Sequence, residues 1–213
     1  MTNFYQSLQA AFESRLDAPA LILKDRPDWN YRQLVTAVDR FAQVLLDSGV
    51  NPADRVMAQV EKSPENLALY LATLKVGAVY VPLNTAYTVA ELDYFVDDAQ
   101  PRLFVGTDLR TGVSSFTLDA NGGGSLIEAA EQVSASIATP TATRQVHDLA
   151  AILYTSGTTG RSKGAMLTHS NLASNARSLS KYWGWQADDV LLNALPIFHV
   201  HGLFIASHCA LLN

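Results

Sequence analysis

The sequence lacks the features that mark several large classes of protein. It contains a single cysteine among 213 residues, so no internal disulfide can form. No apolar run approaches the roughly 18 residues that a membrane-spanning helix needs. The N-terminal segment carries charges and has no apolar run followed by a small-residue cleavage site. These absences favour a cytoplasmic protein without a membrane span.

Positive charge is also scarce. The 15 lysines and arginines are outnumbered by 20 acidic residues, which gives a formal net charge of −5. Because nucleic-acid binding depends on clustered basic side chains, this balance argues against a nucleic-acid partner. The apolar content of 48% is enough for a hydrophobic core. Composition therefore excludes several classes and identifies no function.

Hydrophobic patterning alternates between helical and strand-like segments. Helical spacing predicts helices over residues 3–16, 31–48, 63–76, 88–99, 125–135, 171–183 and 202–212. Short apolar runs predict strands over residues 20–23, 55–60, 78–82, 102–105, 150–154 and 190–194. Because the two types alternate, we expect an α/β fold with a mostly parallel sheet covered by helices.

Local signals support several of these boundaries. Hydroxyl caps, a first-turn proline and capping boxes predict helix starts, while glycines predict helix ends. These signals are the run Ser63-Pro64-Glu65, the pairs Thr88/Glu91 and Ser125/Glu128, and the glycines Gly49 and Gly77. Residues 134–143 are small, polar and interrupted by Pro140, which predicts a surface connection.

The most informative segment follows the predicted strand over 150–154 and reads YTSGTTGRSKG. Its glycines allow backbone N–H groups to converge on one point, and its hydroxyls and Lys163 add further donors for phosphate oxygens. The loop does not match a Walker A motif, since Ser162 and Gly164 stand where that motif needs glycine and a hydroxyl residue. From composition alone, a flexible surface loop and a phosphate-binding loop are both possible.

The full string closely resembles the signature loop of the adenylate-forming enzymes, which include acyl-CoA synthetases, luciferases and peptide-synthetase adenylation domains. Their usual pattern is YTSGTTGxPKG, so Ser162 replaces the customary proline, with some loss of stiffness but no loss of a phosphate donor. Three other family elements stand in the expected order: WNYRQL at 29–34, LKVGAVYVPLNTAY at 74–87 and LPIFHVHGL at 195–203.

The resemblance implies a fold and an extent. Residues 1–213 are expected to form the N-terminal portion of the large AMP-binding domain of an adenylate-forming enzyme. The remainder of that domain, including its Mg²⁺-binding carboxylate, and the mobile C-terminal domain would then be absent. We therefore do not expect the chain alone to carry out a full catalytic cycle.

The resemblance also implies a reaction. In that family the loop holds the β- and γ-phosphates of ATP while a carboxylate attacks the α-phosphorus, and CoA then takes the acyl group from the adenylate. By resemblance, the phosphate-contacting residues are Thr155, Ser156, Gly157, Thr158, Thr159, Gly160 and Lys163. Lys163 is also assigned a catalytic role, and Thr155 a contact to Mg²⁺, which offsets the charge of ATP.

The resemblance assigns a group near the C-terminus to the acyl pocket. His199 matches a family position that orients the acyl group, and is assigned both catalytic and substrate-binding roles. His201 and Gly202 would border the same pocket. Two other interpretations of the histidines are local hydrogen bonding and a zinc site, although no third zinc ligand is placed by spacing. Cys209 is expected to be a small core residue.

The substrate is expected to be a small carboxylate. The run WGWQADDVLLNALPIFHVHGLFIAS looks most like malonyl-CoA synthetases, which favours malonate, with ATP, CoA and Mg²⁺ as the other reactants. In those enzymes the arginine that binds the distal carboxylate lies further along than Asn213. The alternatives are a synthetase for another short acid such as oxalate, a non-catalytic nucleotide-binding fragment, and a P-loop kinase or ATPase, which the failed Walker pattern weakens.

Overall fold

A computed structural model describes residues 3–155 and 161–213 and has an α/β fold. The helices are α1 (Phe4–Glu13), α2 (Tyr31–Asp47), α3 (Pro64–Lys75), α4 (Val89–Ala99), α5 (Ser125–Gln132), α6 (His169–Trp183) and α7 (His208–Leu212), with a π-helix (His201–Ser207) directly before α7. The strands are β1 (Pro19–Leu21), β2 (Trp29–Asn30), β3 (Arg55–Gln59), β4 (Val79–Pro82), β5 (Leu103–Gly106), β6 (Ser114–Thr117), β7 (Leu149–Thr155) and β8 (Lys163–Thr168). Within these described residues, no helix is both long and apolar enough to cross a membrane.

A six-stranded sheet forms the centre of the fold, in the order β6-β5-β3-β4-β7-β8. The first five of these strands are parallel, and β8 is antiparallel to β7. The predicted mostly parallel, helix-covered sheet is therefore confirmed. The carboxyl ends of parallel strands lie at one edge of a sheet, which is where open α/β sheets bind ligands. Strand β7 ends at Thr155, at that edge.

Some strand predictions were incomplete or wrong. The sequence patterns missed β2, β6 and β8. Residues 190–194, predicted as a strand, lie in an irregular segment in which Val190 and Leu192 are 77% and 90% exposed. An apolar run becomes a strand only when another strand pairs with it, and in the described part of the chain none pairs with this one.

Most predicted helix boundaries are confirmed. Ser63 Oγ accepts a hydrogen bond from the Asn66 N–H at 3.1 Å, directly before Pro64 at the first position of α3. Thr88 and Glu91 form both bonds of a capping box at the start of α4. Capping explains why these two helices begin where the sequence indicated, because each cap satisfies backbone donors that the first turn leaves free.

The second predicted capping box is wrong. Ser125 is itself the first residue of α5, and Gly124 is the cap residue without a side-chain bond. The Ser125 hydroxyl instead accepts a hydrogen bond at 2.9 Å from the backbone N–H of Thr117, at the end of β6. The hydroxyl thus joins a helix to a strand that the sequence analysis had missed.

The sheet carries an apolar layer on each face, and β3 shows how the sequence builds both. Val56 and Ala58 belong to the larger core, which α1, α2 and α3 cover, whereas Met57 between them belongs to a smaller core under α4. This is the alternation of a strand with helices on both sides. Helix α3 is buried along its whole length because it packs against α1, α2 and β4.

The connection over residues 134–143 is irregular, as predicted, but it is not simply a surface segment. Thr139 is buried, and its N–H donates a hydrogen bond of 3.1 Å to Asp39 Oδ1. Asp39 forms a buried ion pair with Lys75 of α3. The connection therefore satisfies a buried carboxylate that links α2 to α3.

Candidate active site

The predicted phosphate loop joins β7 to β8, and we call β7, β8 and residues 156–162 the signature hairpin. Thr155 ends β7, Lys163 begins β8, and these two residues are directly paired in the antiparallel register. Directly paired residues have Cβ atoms about 5 Å apart. Thr155 and Lys163, separated in sequence, are thus brought together at the loop end of the hairpin, and both are exposed.

The remaining predicted phosphate contacts, Ser156, Gly157, Thr158, Thr159 and Gly160, lie outside the described residues. Gly164 lies inside the stem of the hairpin, opposite Tyr154. A Cβ added at Gly164 would lie 2.8 Å from Ile152 Cγ2. The last glycine of the motif therefore allows β8 to pack closely on β7.

Helix α4 supports the loop end of the hairpin. Tyr94 donates a hydrogen bond of 2.7 Å to the Ser162 carbonyl oxygen, and Tyr154 donates one of 2.5 Å to Asp98 Oδ2. The rings of Phe95 and Tyr154 pack with centroids 4.5 Å apart. Burial, and then the neighbouring Asp98, raise the pKa of Tyr154, so its hydroxyl remains a donor at neutral pH.

The second predicted group lies in residues 193–202, which we call the histidine wall. His199 and His201 are exposed, and the Phe198 and His199 rings are 4.7 Å apart. Gly202 is buried, and a Cβ there would lie only 2.2 Å from the Pro196 carbonyl oxygen. Glycine at this position is what lets the wall fold back on the start of the π-helix.

Polar contacts hold the histidine wall in place. Lys62, in the turn after β3, donates hydrogen bonds to the carbonyl oxygens of Asn193 at 2.8 Å and Leu195 at 3.2 Å. Asn193 Nδ2 donates to Ser207 Oγ at 3.1 Å, and Ser207 Oγ donates to the Gly202 carbonyl at 2.7 Å. The wall is thus fixed both to the sheet and to the π-helix.

The third histidine of the cluster, His208, lies inside the core. Its Nε2 is hydrogen-bonded to the Tyr70 hydroxyl at 2.7 Å, and burial lowers the pKa of His208 to about 3. His208 is therefore a neutral structural residue. Cys209 beside it is fully buried, which confirms the prediction of a core cysteine, and burial raises the pKa of its thiol.

Helix α6 connects the two predicted groups. It begins at His169 directly after β8, and it packs against both β8 and the π-helix. The sequence predicted its start at residue 171, because the Thr168–Asn171 capping box was not recognised. The hairpin and the histidine wall therefore share one helix as a support.

Thr155 is the residue that the sequence assigned to Mg²⁺. No group of three or more His, Cys, Asp or Glu residues that could hold a metal lies within ranges 3–155 and 161–213. Thr155 offers one hydroxyl oxygen at the loop end of the hairpin. Mg²⁺ at nucleotide sites takes oxygen ligands from the phosphates and water as well as from protein. Thr155 therefore fits as one ligand of a nucleotide-bound Mg²⁺ but not as a metal site alone.

A cleft of about 590 Å³ lies beside the histidine wall. Its lining includes β1, Lys62, Asn193, Ile197 and Ser207, and it does not include Thr155, Lys163, His199, His201 or Gly202. Among the described residues, the cleft thus borders part of the histidine wall but not the residues predicted to contact the phosphates or the acyl group.

Sequence reasoning missed the supporting residues Tyr94, Asp98 and Lys62. Tyr94 and Asp98 are spaced i, i+4 on α4, so they share a helix face, which is a detectable signal. Their partners are distant in sequence: Tyr94 and Ser162 are 68 residues apart, and Lys62 and Asn193 are 131 apart. No local pattern identifies such pairs.

Comparison with known proteins identifies relatives of the whole chain. It matches the structure of apo MatB from Rhodopseudomonas palustris with a TM-score of 0.90 and 47% identity, over 100% of this chain and 44% of that one. An ATP-bound structure of the same MatB matches with a TM-score of 0.88 over the same shares of the two chains.

Two curated relatives are CoA ligases. The mitochondrial malonate–CoA ligase ACSF3 of Xenopus laevis is 32% identical over 76% of this chain and 29% of its own length. The oxalate–CoA ligase of Arabidopsis thaliana is 28% identical over 88% of this chain and 39% of its own. The chain thus spans less than half the length of each relative. A model of the AMP-binding enzyme family matches residues 8–213, and the chain belongs to this family of AMP-binding enzymes.

Proposed function

We propose that this chain supplies the ATP-phosphate site and part of the acyl site of an ATP-dependent acyl-CoA synthetase, an acid–thiol ligase. The enzyme activates a small carboxylate, with malonate as the first candidate, as an acyl-adenylate and transfers the acyl group to CoA. In this proposal the 213 residues form the N-terminal part of the AMP-binding domain, and the full cycle needs the rest of the enzyme.

The observation that carries the proposal is the pairing of Thr155 with Lys163 at the loop end of the signature hairpin. Thr155 brings a hydroxyl and Lys163 an ammonium group to the carboxyl edge of the sheet, on either side of the glycine- and hydroxyl-rich segment. The likeness to an ATP-bound MatB structure across the whole chain supports a nucleotide as the ligand. Both observations agree with the phosphate role predicted from the sequence.

In the first step, a carboxylate oxygen attacks the α-phosphorus, and the bond from that phosphorus to the bridging oxygen of the β-phosphate breaks. The electron pair of this bond leaves with pyrophosphate. Lys163 places a positive charge where negative charge develops, which stabilises the departing group. Bound Mg²⁺ would neutralise further phosphate charge, with the Thr155 hydroxyl among its ligands.

In the second step, the CoA thiolate attacks the acyl carbonyl carbon and AMP leaves. The histidine wall is the surface on which the acyl group lies in this proposal. His199 and His201 are exposed, so their ring nitrogens are free to contact a carboxylate. Gly202 keeps that surface close to the π-helix. A histidine ring always carries at least one N–H group, so either histidine can donate a hydrogen bond to the carboxylate.

The substrate is the finer part of the proposal. Malonate is favoured by the sequence around the histidine wall, which looks most like malonyl-CoA synthetases. It is also favoured by the malonate–CoA ligase among the relatives. Oxalate is the second candidate, favoured by the oxalate–CoA ligase relative. Both are short dicarboxylates, so both need a cation for the second carboxylate.

Lys163→Ala tests the phosphate role. In the protein encoded by the complete gene, we expect this change to raise the KM for ATP and to slow carboxylate-dependent ATP–pyrophosphate exchange by roughly 10- to 100-fold. Lys181→Ala is the matched control, since Lys181 is an exposed lysine in the last turn of α6. An unchanged exchange rate in Lys163→Ala would refute the role assigned to Lys163.

A comparison of substrates tests the proposed choice of carboxylate. The complete gene product is supplied with ATP, CoA and either malonate, oxalate or propionate, and AMP and acyl-CoA are measured. The highest kcat/KM with malonate supports the proposal, while preference for oxalate supports the second candidate. The same measurement on residues 1–213 tests whether the full cycle needs the rest of the enzyme. Full turnover by these residues alone would contradict that part of the proposal.

A further inference from the structure

Helix α4 contacts the signature hairpin on both of its limbs. On the incoming limb, Tyr154 donates a hydrogen bond to Asp98 Oδ2 at 2.5 Å. On the returning limb, Tyr94 donates one to the Ser162 carbonyl oxygen at 2.7 Å. Tyr94 and Asp98 are one helical turn apart, so a single face of α4 holds both ends of the predicted phosphate loop.

The helix that makes these contacts is itself firmly placed. Phe95 is 2% exposed and packs among Met57, Val81 and Phe104 in the smaller core. The capping box of Thr88 and Glu91 fixes the first turn of α4. A side chain on this helix therefore acts as a fixed point from which the hairpin can be oriented.

The Tyr94 hydrogen bond is made to the peptide group directly before Lys163. The Ser162 carbonyl and the Lys163 N–H belong to one peptide group, which is planar. A hydrogen bond that fixes the carbonyl therefore also fixes the backbone that leads into Lys163. The Arg161 guanidinium lies over the Tyr94 ring, 5.4 Å from its centroid, which adds a second restraint on the same limb.

Residue 162 has no restraint of its own on the backbone. A proline at this position would fix φ near −65°. Serine has no such restriction, so the limb before Lys163 has more conformations available. A hydrogen bond from outside the loop can remove that freedom, as a proline ring would.

We propose that Tyr94 is a positioning residue for Lys163, acting through the Ser162–Lys163 peptide group. Its hydroxyl holds the returning limb of the hairpin so that the Lys163 ammonium group is directed at the ATP phosphates. This inference rests on the proposed function, because it assumes that Lys163 contacts ATP.

Tyr94→Phe in the complete gene product tests the inference, since it removes the hydroxyl and keeps the ring under Arg161. We expect the Kd and KM for ATP to rise about three- to tenfold, as for the loss of one hydrogen bond. The KM values for the carboxylate and CoA should remain unchanged. Tyr182→Phe is the matched control, because Tyr182 is a tyrosine with 87% of its surface exposed.

Rescue by proline separates positioning from a general structural role. In the Tyr94→Phe background, Ser162→Pro should return the Kd for ATP toward the original value, because the proline ring supplies the lost restraint. In the original background, the same Ser162→Pro change should have a much smaller effect. Failure of the proline to restore ATP affinity would overturn the inference.

A double-mutant cycle with Lys163→Ala distinguishes this inference from the proposed function. If Tyr94 acts through Lys163, Tyr94→Phe adds little to the rise in the Kd for ATP once Lys163 is alanine. Additive effects would overturn the inference while leaving Lys163 in its role. Absence of ATP binding in the unsubstituted protein, or a Lys163→Ala protein with normal ATP affinity, would overturn the proposed function and this inference together.

Discussion

The signature hairpin and the histidine wall are held in place by different kinds of interaction. Thr155 and Lys163 of the hairpin are exposed, and hydroxyl contacts with α4 hold the neighbouring residues Tyr154 and Ser162. The histidine wall is held by close packing at the buried Gly202 and by the polar contacts of Lys62, Asn193 and Ser207. It continues directly into the core through the π-helix and α7.

This difference has a consequence for mutation. Removal of the hydroxyl contacts between α4 and the hairpin should alter ATP binding with little effect on folding, because few buried contacts are lost. A change at the buried part of the histidine wall should alter folding and substrate binding together. The two regions can therefore be distinguished by measuring stability beside activity for each variant.

Gly202→Ala is expected to have the largest effect. The added Cβ would lie 2.2 Å from the Pro196 carbonyl oxygen and 2.9 Å from its carbon, and these backbone atoms cannot move aside as a flexible side chain can. We expect a loss of about 3 kcal/mol in the free energy of unfolding, as for a severe case of overpacking. The KM for the carboxylate should rise as well. Urea unfolding and steady-state kinetics measure the two effects.

Gly112→Ala is the control for this change. Gly112 has a φ of +82° and no atom within 4 Å of the position of an added Cβ. Its substitution should cost only the strain of a left-handed backbone, about 1 kcal/mol, with unchanged kinetics. Equal losses of stability at the two glycines would show that the close approach to Pro196 is not what fixes the wall.

Acid should weaken the core under the histidine wall. Burial lowers the pKa of His208 to about 3, compared with 6.5 for an exposed histidine. Between these values the unfolded chain binds a proton that the folded chain does not, so stability falls as pH falls below about 6.5. At pH 4 this group alone should cost about 3 kcal/mol. Burial, and then Arg144, also lower the pKa of His169, to about 4, so a second proton contributes in the same direction.

A histidine variant tests this assignment. His208→Gln keeps a hydrogen-bonding group beside Tyr70 and cannot titrate. In this variant, the dependence of the unfolding free energy on pH between about pH 4 and 6 should be smaller than in the unsubstituted protein, by the uptake of about one proton. Identical slopes in the variant and the unsubstituted protein would contradict a neutral, buried His208.

The fold could be predicted well where the pattern is local. Helix α3 and strand β4 follow from apolar runs, a proline start and Gly77, which has a φ of +75°. Strand β8 was missed because it is an edge strand in which Met166 is 66% exposed, so its pattern lacks a buried face. Its strand structure comes from pairing with β7, which a local pattern does not show.

The candidate site could be predicted where the motif itself carries the chemistry. Thr155 and Lys163 were both identified from the loop sequence, and the register of the hairpin pairs them. Tyr94 and Lys62 could not be identified in this way. Each acts on the backbone of a distant segment, so the receiving atoms are carbonyl oxygens, which every residue has and no sequence marks.

Lys62→Met should have a smaller effect than Gly202→Ala or the acid effect at His208, and a more selective one. Methionine keeps the apolar stem and removes the ammonium group that donates to the carbonyl oxygens of Asn193 and Leu195. Because Lys62 is exposed, water replaces much of what these bonds contribute. We expect the KM for the carboxylate to rise about three- to fivefold, with the KM for ATP unchanged.

Lys24→Met is the matched control, because Lys24 is an exposed lysine outside the histidine wall. It should leave both KM values unchanged. If Lys62→Met raised the KM for ATP as much as that for the carboxylate, the two regions would not respond separately. The separate supports of the hairpin and the wall would then act as one unit through their shared helix α6.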